Sequence, residues 1–312
     1  MIDSLIGLFH SKSGVVLLMT YAVLMLATLI ITLVKTYKTP ELIARIQSWW
    51  WIISLFTLGV MLNNTLALFF FGLVSYLALK EYFTLIPSRR ADRRIIFYAY
   101  LAIIIQYLFA HMQWYGMFII WIPVYLFLFL PFCQVLNGET QGFLANTSRI
   151  HWGLMMFVFG LSHLAYLLNL TNPSNNLAIT GTDLVLYVVL LTEANDILQY
   201  LWGKRFGKHK IVPKVSPNKT VEGFIGAFMC TTLLALFFSF LTPFEWYQAL
   251  LVGMLISSAG FIGDVVISMI KREVNVKDSG SLLPGHGGIL DRVDSLTYTA
   301  PLFFHYVYYL YY

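Results

Sequence analysis

Long apolar runs separated by short polar connections dominate this chain. About 20 apolar residues suffice to cross the hydrocarbon of a bilayer as a helix. By that length the pattern predicts helices at roughly 14–35, 48–62, 65–85, 95–111, 114–132, 150–170, 182–202, 223–241, 246–270 and 295–312. The expected fold is therefore all-α, a polytopic integral membrane bundle of about ten transmembrane helices. Asn63-Asn64 divides the second run from the third. The first run is too long for a signal-peptide core and lacks a small-residue cleavage site, so it reads as a retained span. No internal repeat or low-complexity linker appears. Polar residues concentrate late, which suggests N-terminal helices over 1–149 and a catalytic region over 150–312 with polar loops at 203–222 and 271–294.

Composition narrows the class. With 312 residues, 59 % hydrophobic and 11 % charged, the chain is too apolar for an ordinary soluble domain. Cys133 and Cys230 have no metal-like spacing and build no disulfide framework. The net charge of +5 follows from loop placement, with no soluble basic domain to bind nucleic acid. Lys38, Arg45, Arg89, Arg90, Arg93, Arg94, Arg149, the cluster from Lys204 to Lys219 and the bases after Lys271 all fall on one side of an alternating topology. By the positive-inside rule that side faces the cytoplasm and both termini face outward. Trp49 to Trp51 and Tyr308 to Tyr312 suit interfacial belts.

Chemistry gathers from Ser268 to Asp294, where both charge signs alternate with Gly280, Pro284, Gly285, Gly287 and Gly288. Gly287 and Gly288 precede a candidate helix start, where free N–H groups can cradle an anion. Asp291 and Asp294 share a helical face and can converge on a cation; hard oxygen ligands without sulfur suit Mg²⁺. Lys271, Arg272, Lys277 and Arg292 can meet a polyphosphate. An ordinary positive loop is the plain alternative.

Two further features stand out. Asn195 and Asp196 interrupt an apolar helix just before the loop carrying Lys204, Arg205, Lys208, Lys210, Lys214 and Lys219. Such a basic cluster suits either anionic lipid or a nucleoside triphosphate. Asp264 lies within an apolar span, where an unpaired carboxylate is costly and so marks a functional site or a structural pair with a base such as Lys271. Gly260 and Gly263 beside it permit close approach. Asp183 suits a helix cap, Glu81 pairing or snorkelling beside Lys80, and the scattered histidines packing.

The order S-x-x-K-R-x4-K-D-x-G-x2-L-P-x-H-G-G-x2-D-R-x-D, from Ser268 to Asp294 and including Asp278 and His286, resembles the signature of the phosphatidate cytidylyltransferase (CDP-diacylglycerol synthase) family. Asn195-Asp196 with Tyr200, Gly203 and Gly207, then Ser216, Pro217, Lys219, Thr220, Glu222 and Gly223, is similar to the family's second block. Gln199 departs from it, standing where a small residue is common, and Asp264 matches the acid of the family's G-D motif. The match lies in the C-terminal part of the chain.

The resemblance implies transfer of CMP from CTP to phosphatidate, giving CDP-diacylglycerol and pyrophosphate. It implies Mg²⁺, alone or with a second cation, on Asp264, Asp291 and Asp294, with Asp196 a further contributor. Lys219, Lys271, Arg272, Lys277 and Arg292 become candidates for the triphosphate and the lipid phosphate, with Asn195, Asp278, Gly287 and Gly288 in the same substrate site. His286 donates to a phosphate or fixes its loop; Ser216 and Thr220 donate hydroxyls or cap helices, and Glu222 sits beside them. Partners are CTP, phosphatidate, membrane lipids and a second copy in a homodimer, in an inner membrane of bacterial type. Cytidylyl transfer to another lipid phosphate is the nearest alternative. A transporter would call for repeat symmetry or paired broken helices, which are not found. A CDP-alcohol phosphotransferase would need a D-G-x2-A-R spacing, which is absent.

Overall fold

The computed structural model describes residues 11–34, 39–87, 89, 92–170, 179–280 and 287–312. These form helices joined by loops, with no strand among them beyond one isolated antiparallel bridge between Lys210 and Thr220. The helices are α1 (Lys12–Leu33), α2 (Pro40–Met61), α3 (Asn64–Leu85), α4 (Arg93–His111), α5 (Tyr115–Leu136), α6 (Phe143–Leu167), α7 (Gly181–Phe206), α8 (Val221–Phe237), α9 (Trp246–Glu273), the single turn α10 (Leu290–Val293) and α11 (Leu296–Tyr311). All the helices expected from the apolar runs are present. Seven of them, α1, α3, α4, α5, α6, α7 and α9, are long and apolar enough to cross a membrane. The α2, α8 and α11 helices do not meet that standard of length and hydropathy, so the count of ten spans is not reached on this measure. The all-α polytopic class stands.

Short polar residues set the helix starts. Ser11 accepts from the Gly14 N–H at 3.0 Å, and Asn63 from the Leu66 N–H at 2.7 Å, which explains the break at Asn63-Asn64. Thr39 precedes Pro40, whose missing N–H costs nothing at a helix start. Thr180 and Asp183 form a reciprocal capping box on α7, as suited Asp183. Ser13 also donates to Asp183, tying the start of α1 to that of α7.

Inside the bundle α7 packs on α8, α8 on α9 and α9 on α11, while α11 and α3 both pack on α6. Two π-helical segments, Trp121–Leu126 in α5 and Leu154–Gly160 in α6, widen the turn locally. The first contains Pro123, which has no N–H to give the ladder. One buried apolar core runs from Val16 through Phe157 and Tyr187 to Val307, so the N-terminal helices and those that carry the motifs are packed as one body.

Polar groups collect at the two ends of this body. Lys12, Ser13 and Asp183 mark one end, where Lys12 donates to the Phe240 carbonyl. Glu81, Lys219, Lys271 and Asp291 mark the other, which is also the end carrying the basic loops.

Candidate active site

Two polar centres lie side by side at the basic end. The first forms where α7, α9 and the α8 entry meet. Asp264, inside α9, forms an ion pair with Lys219 and accepts from Ser268 Oγ at 3.2 Å. Lys271, which had been the expected alternative partner, is engaged elsewhere. Lys219 Nζ also donates to Gln199 Oε1 at 2.8 Å. The Gln199 departure thus has a local consequence: it supplies a neutral acceptor to the half-buried ammonium.

Asp196 and Asp294 complete this centre. Asp196 Oδ2 accepts from Ser295 Oγ at 2.8 Å, whereas its Oδ1 is buried with no hydrogen-bond partner. Asp294 Oδ1 accepts from the Ser295 N–H at 2.8 Å. Gly263 allows this meeting, because a Cβ there would lie 2.7 Å from the Asp294 carbonyl oxygen. Burial would lower the Lys219 ammonium, but Asp264 and Asp196, with Asp294 beyond them, outweigh it and hold it above its ordinary range. Burial, then the charges of Asp264 and Asp196, push the Asp294 carboxyl well above its usual range. One ammonium therefore faces three crowded carboxyl groups.

Oxygen donors of this kind suit a hard divalent cation such as Mg²⁺, and the unpartnered Asp196 Oδ1 leaves a lone pair for it. Among the described residues no three His, Cys, Asp or Glu side chains form a preformed cage. The donor set fits the ion in kind, with ligation completed by substrate oxygens.

The second centre is built round Asp291. Its Oδ1 pairs with Lys271 Nζ at 2.7 Å. Its Oδ2 accepts from Ser279 N at 2.8 Å, Ser279 Oγ at 2.9 Å and Gly288 N at 3.0 Å. Burial alone would raise this carboxyl, but Lys271 and the surrounding N–H groups hold it below its usual range. Gly287 has φ +80°, in the left-handed region that favours glycine, and this turn brings the loop back to Asp291. Asp291 and Asp294, expected to converge on one cation, have different partners here. Asp291 faces Lys271 and the loop, while Asp294 joins Asp264 and Asp196.

Glu81 at the end of α3 closes the other side of the loop. Its carboxylate accepts from Ile289 N at 3.0 Å, Leu290 N at 2.9 Å and Ser279 Oγ at 3.0 Å. The free N–H groups expected after Gly288 thus meet a carboxylate of the chain itself. Snorkelling does not describe this residue.

The remaining motif residues divide by their partners. Asn195 is fully buried, accepting from Ser257 Oγ at 2.7 Å and Thr231 Oγ1 at 3.3 Å, so it ties α7 to α8 and α9 instead of facing a ligand. Arg272 donates to the carbonyls of Val215 at 3.0 Å and Val276 at 3.2 Å, joining the two motif loops. Thr220 caps α8 through Gly223 N at 3.1 Å. Glu222 accepts from Lys208 N, His209 N and His209 Nδ1, which folds the basic loop back on α8. The Ser216 carbonyl accepts from Lys219 N at 3.2 Å within a turn. Lys277 and Asp278 are exposed. Arg292 keeps a buried Nε without a partner, within electrostatic range of Glu193. His286, expected to donate to a phosphate or fix its loop, lies outside the described residues.

Glu81, Ser279, Gln199 and Ser295 were not singled out as site residues in the sequence. Only Gln199, as a departure from a motif, carried a signal there.

Residues 43–310 match the Cytidylyltransferase family. The chain is 47 % identical over 294 residues to the uncharacterized protein YnbB of Escherichia coli (strain K12), covering 93 % of this chain and 96 % of that protein. It is 45 % identical over 124 residues to the phosphatidate cytidylyltransferase of Staphylococcus aureus (strain COL), covering 39 % of this chain and 48 % of that enzyme. The same enzyme of Staphylococcus haemolyticus (strain JCSC1435) gives 44 % over 124 residues. The chain thus spans about half the length of these two enzymes and nearly all of YnbB. With a match over most of its length, and both motif loops meeting at one polar centre, this chain belongs to the cytidylyltransferase family.

Proposed function

We propose that the protein transfers CMP from CTP to phosphatidate, forming CDP-diacylglycerol and pyrophosphate. The observation that carries this reading is the Lys219–Asp264 pair set against Asp196 and Asp294, with an acid oxygen left unpartnered. A phosphoryl-transfer site needs such a mixture of cation and hard oxygen donors more than it needs a covalent nucleophile.

A phosphate oxygen of the lipid attacks the α-phosphorus of CTP. The new P–O bond forms as the α–β anhydride bond breaks, and the electron pair leaves with pyrophosphate. Asp264, Asp196 and Asp294 are the residues that would hold Mg²⁺. When bound, the ion neutralises phosphate oxygens and the leaving pyrophosphate. Lys219 supplies positive charge beside the same oxygens, and Arg292, whose Nε is unpartnered, is a second phosphate donor. Lys271 and Asp291 organise the loop. The basic end faces the cytoplasm in this reading, where CTP is found, while the lipid enters from the bilayer. A homodimer is the assembly expected from the family resemblance.

Cytidylyl transfer to a different lipid phosphate is the second reading. It is favoured by one observation: the similarity to named phosphatidate enzymes covers 39 % of the chain, leaving the larger part outside it. Lipid preference and transfer chemistry need not travel together.

Pyrophosphate release by detergent-purified protein, with CTP, Mg²⁺ and phosphatidate each omitted in turn, tests both readings. Release requiring all three, with CDP-diacylglycerol as product, is expected. Release only with another lipid phosphate supports the second reading, and no turnover with any lipid phosphate rejects both.

A further inference from the structure

We infer that Glu81 is a positioning residue: from the N-terminal part of the chain it holds the loop that sets Asp291, Lys271 and Asp294. The inference rests on the cytidylyl-transfer reading for its kinetic consequence, though the clamp itself is a matter of geometry.

The α10 helix is a single turn, Leu290–Val293, and one turn is too short to persist without outside support. Its leading N–H groups need acceptors. Glu81 supplies both of its oxygens: one to Ile289 N, the other to Leu290 N and Ser279 Oγ. Ser279 Oγ also lies 2.9 Å from Asp291 Oδ2, so its single proton serves one carboxylate at a time and its oxygen holds the two acids in a common frame. The loop passes tightly against this carboxylate. A Cβ at Gly280 would lie 3.2 Å from Glu81 Oε1, and one at Gly288 would overlap Glu81 and Ser279.

The consequence runs along α10. Asp291 lies in this turn and carries Lys271 on one oxygen; Asp294 follows immediately after it and faces Asp264 and Asp196. Any slide or rotation of so short a turn moves both acids together. Glu81 is the contact that fixes it from a helix outside the motif blocks, at a separation of 208 residues from Ile289. Glu81 does not touch the acids of the first centre in this structure, so its effect passes through the loop.

The test compares Glu81→Ala and Glu81→Gln with wild-type protein, and Lys80→Ala as a control at the exposed neighbouring position. Hydrogen–deuterium exchange is followed over 287–293 in substrate-free protein, and kcat and KM for CTP are measured beside it. For Glu81→Ala the Ile289 and Leu290 amides should exchange more than about tenfold faster, with the rest of the bundle unchanged. Its kcat should fall about 10- to 100-fold, the size of effect expected when reacting groups move by an ångström. KM for CTP should change less than about threefold. Glu81→Gln keeps one carbonyl acceptor and should fall between wild type and Ala; it also serves as the test variant if Ala does not fold. Lys80→Ala should match wild type. Unchanged exchange in both Glu81 variants would overturn the clamp. Accelerated exchange with wild-type kcat would overturn the positioning role. A wild-type protein inactive on every lipid phosphate would reject the functional reading instead, while the exchange result would still report on the clamp.

Discussion

The two polar centres differ in how completely their charges are satisfied. Asp291 accepts from Lys271, Ser279 N and Gly288 N, and shares the Ser279 hydroxyl with Glu81. Beside it three acids crowd round Lys219, with Lys271 acting on Asp294 as well, and Asp196 Oδ1 has no donor. A carboxylate whose lone pairs are filled by its own chain serves to hold structure. A buried acid left short of donors is costly unless something else completes it. The contrast supports the proposed division, with positioning at the loop centre and substrate and cation chemistry at the Lys219 centre.

The sharpest way to break this contrast is to remove the base of the unsatisfied centre. Lys219→Ala deprives Asp264 and Asp196 of their ammonium, and pyrophosphate release should fall by about 10²- to 10³-fold. Asp264→Asn should lower turnover on the same scale while the protein stays folded, as judged by its thermal midpoint and its elution in size-exclusion chromatography. A near wild-type rate in either variant would move the chemistry elsewhere.

Asp291→Asn probes the satisfied centre. It strands the buried Lys271, and removing one partner of such a pair costs about 3–5 kcal/mol. The expected signature is a lower thermal midpoint together with lost activity. Gly288→Ala should act in the same direction, because its Cβ meets both Glu81 and Ser279. Limited proteolysis of the loop checks this variant.

The pH dependence follows from the depressed Asp291 carboxyl. Its contribution to stability is fully present above the unfolded value near 3.9 and is lost as pH falls through the lower folded value. Acid titration of the thermal midpoint should therefore show a component below about pH 4 that Asp291→Asn removes. Gln199→Ala is the mildest change. Deleting one acceptor of Lys219 should cost about 1 kcal/mol and appear as a few-fold loss of kcat/KM.

The helices were legible because a bilayer-length apolar run and a capping residue such as Asn63 or Thr180 act locally. The number of spans was less so, since α2, α8 and α11 combine shorter or more polar sequences with tertiary support. Asp264, Asp196 and Asp294 could be named from the sequence, and their assembly from two helices and a loop follows only from packing. The motif pattern did not separate residues that face a ligand from those that build the loop. Asn195, Arg272, Thr220 and Glu222 all have intramolecular partners here. Glu81 was illegible for a different reason: an acid beside Lys80 at a helix end looks like any interfacial charge. Its partner is 208 residues away.

The division of labour between the two centres can be read from a Mg²⁺ titration of pyrophosphate release. Wild type, Asp196→Asn and Asp291→Asn are compared at saturating CTP and lipid. Asp196→Asn should raise the half-saturating Mg²⁺ concentration by more than about tenfold with the thermal midpoint unchanged. Asp291→Asn should lower the midpoint and the maximal rate without altering the Mg²⁺ requirement. An unchanged Mg²⁺ requirement in Asp196→Asn, with a raised one in Asp291→Asn, would place the cation at the loop centre instead.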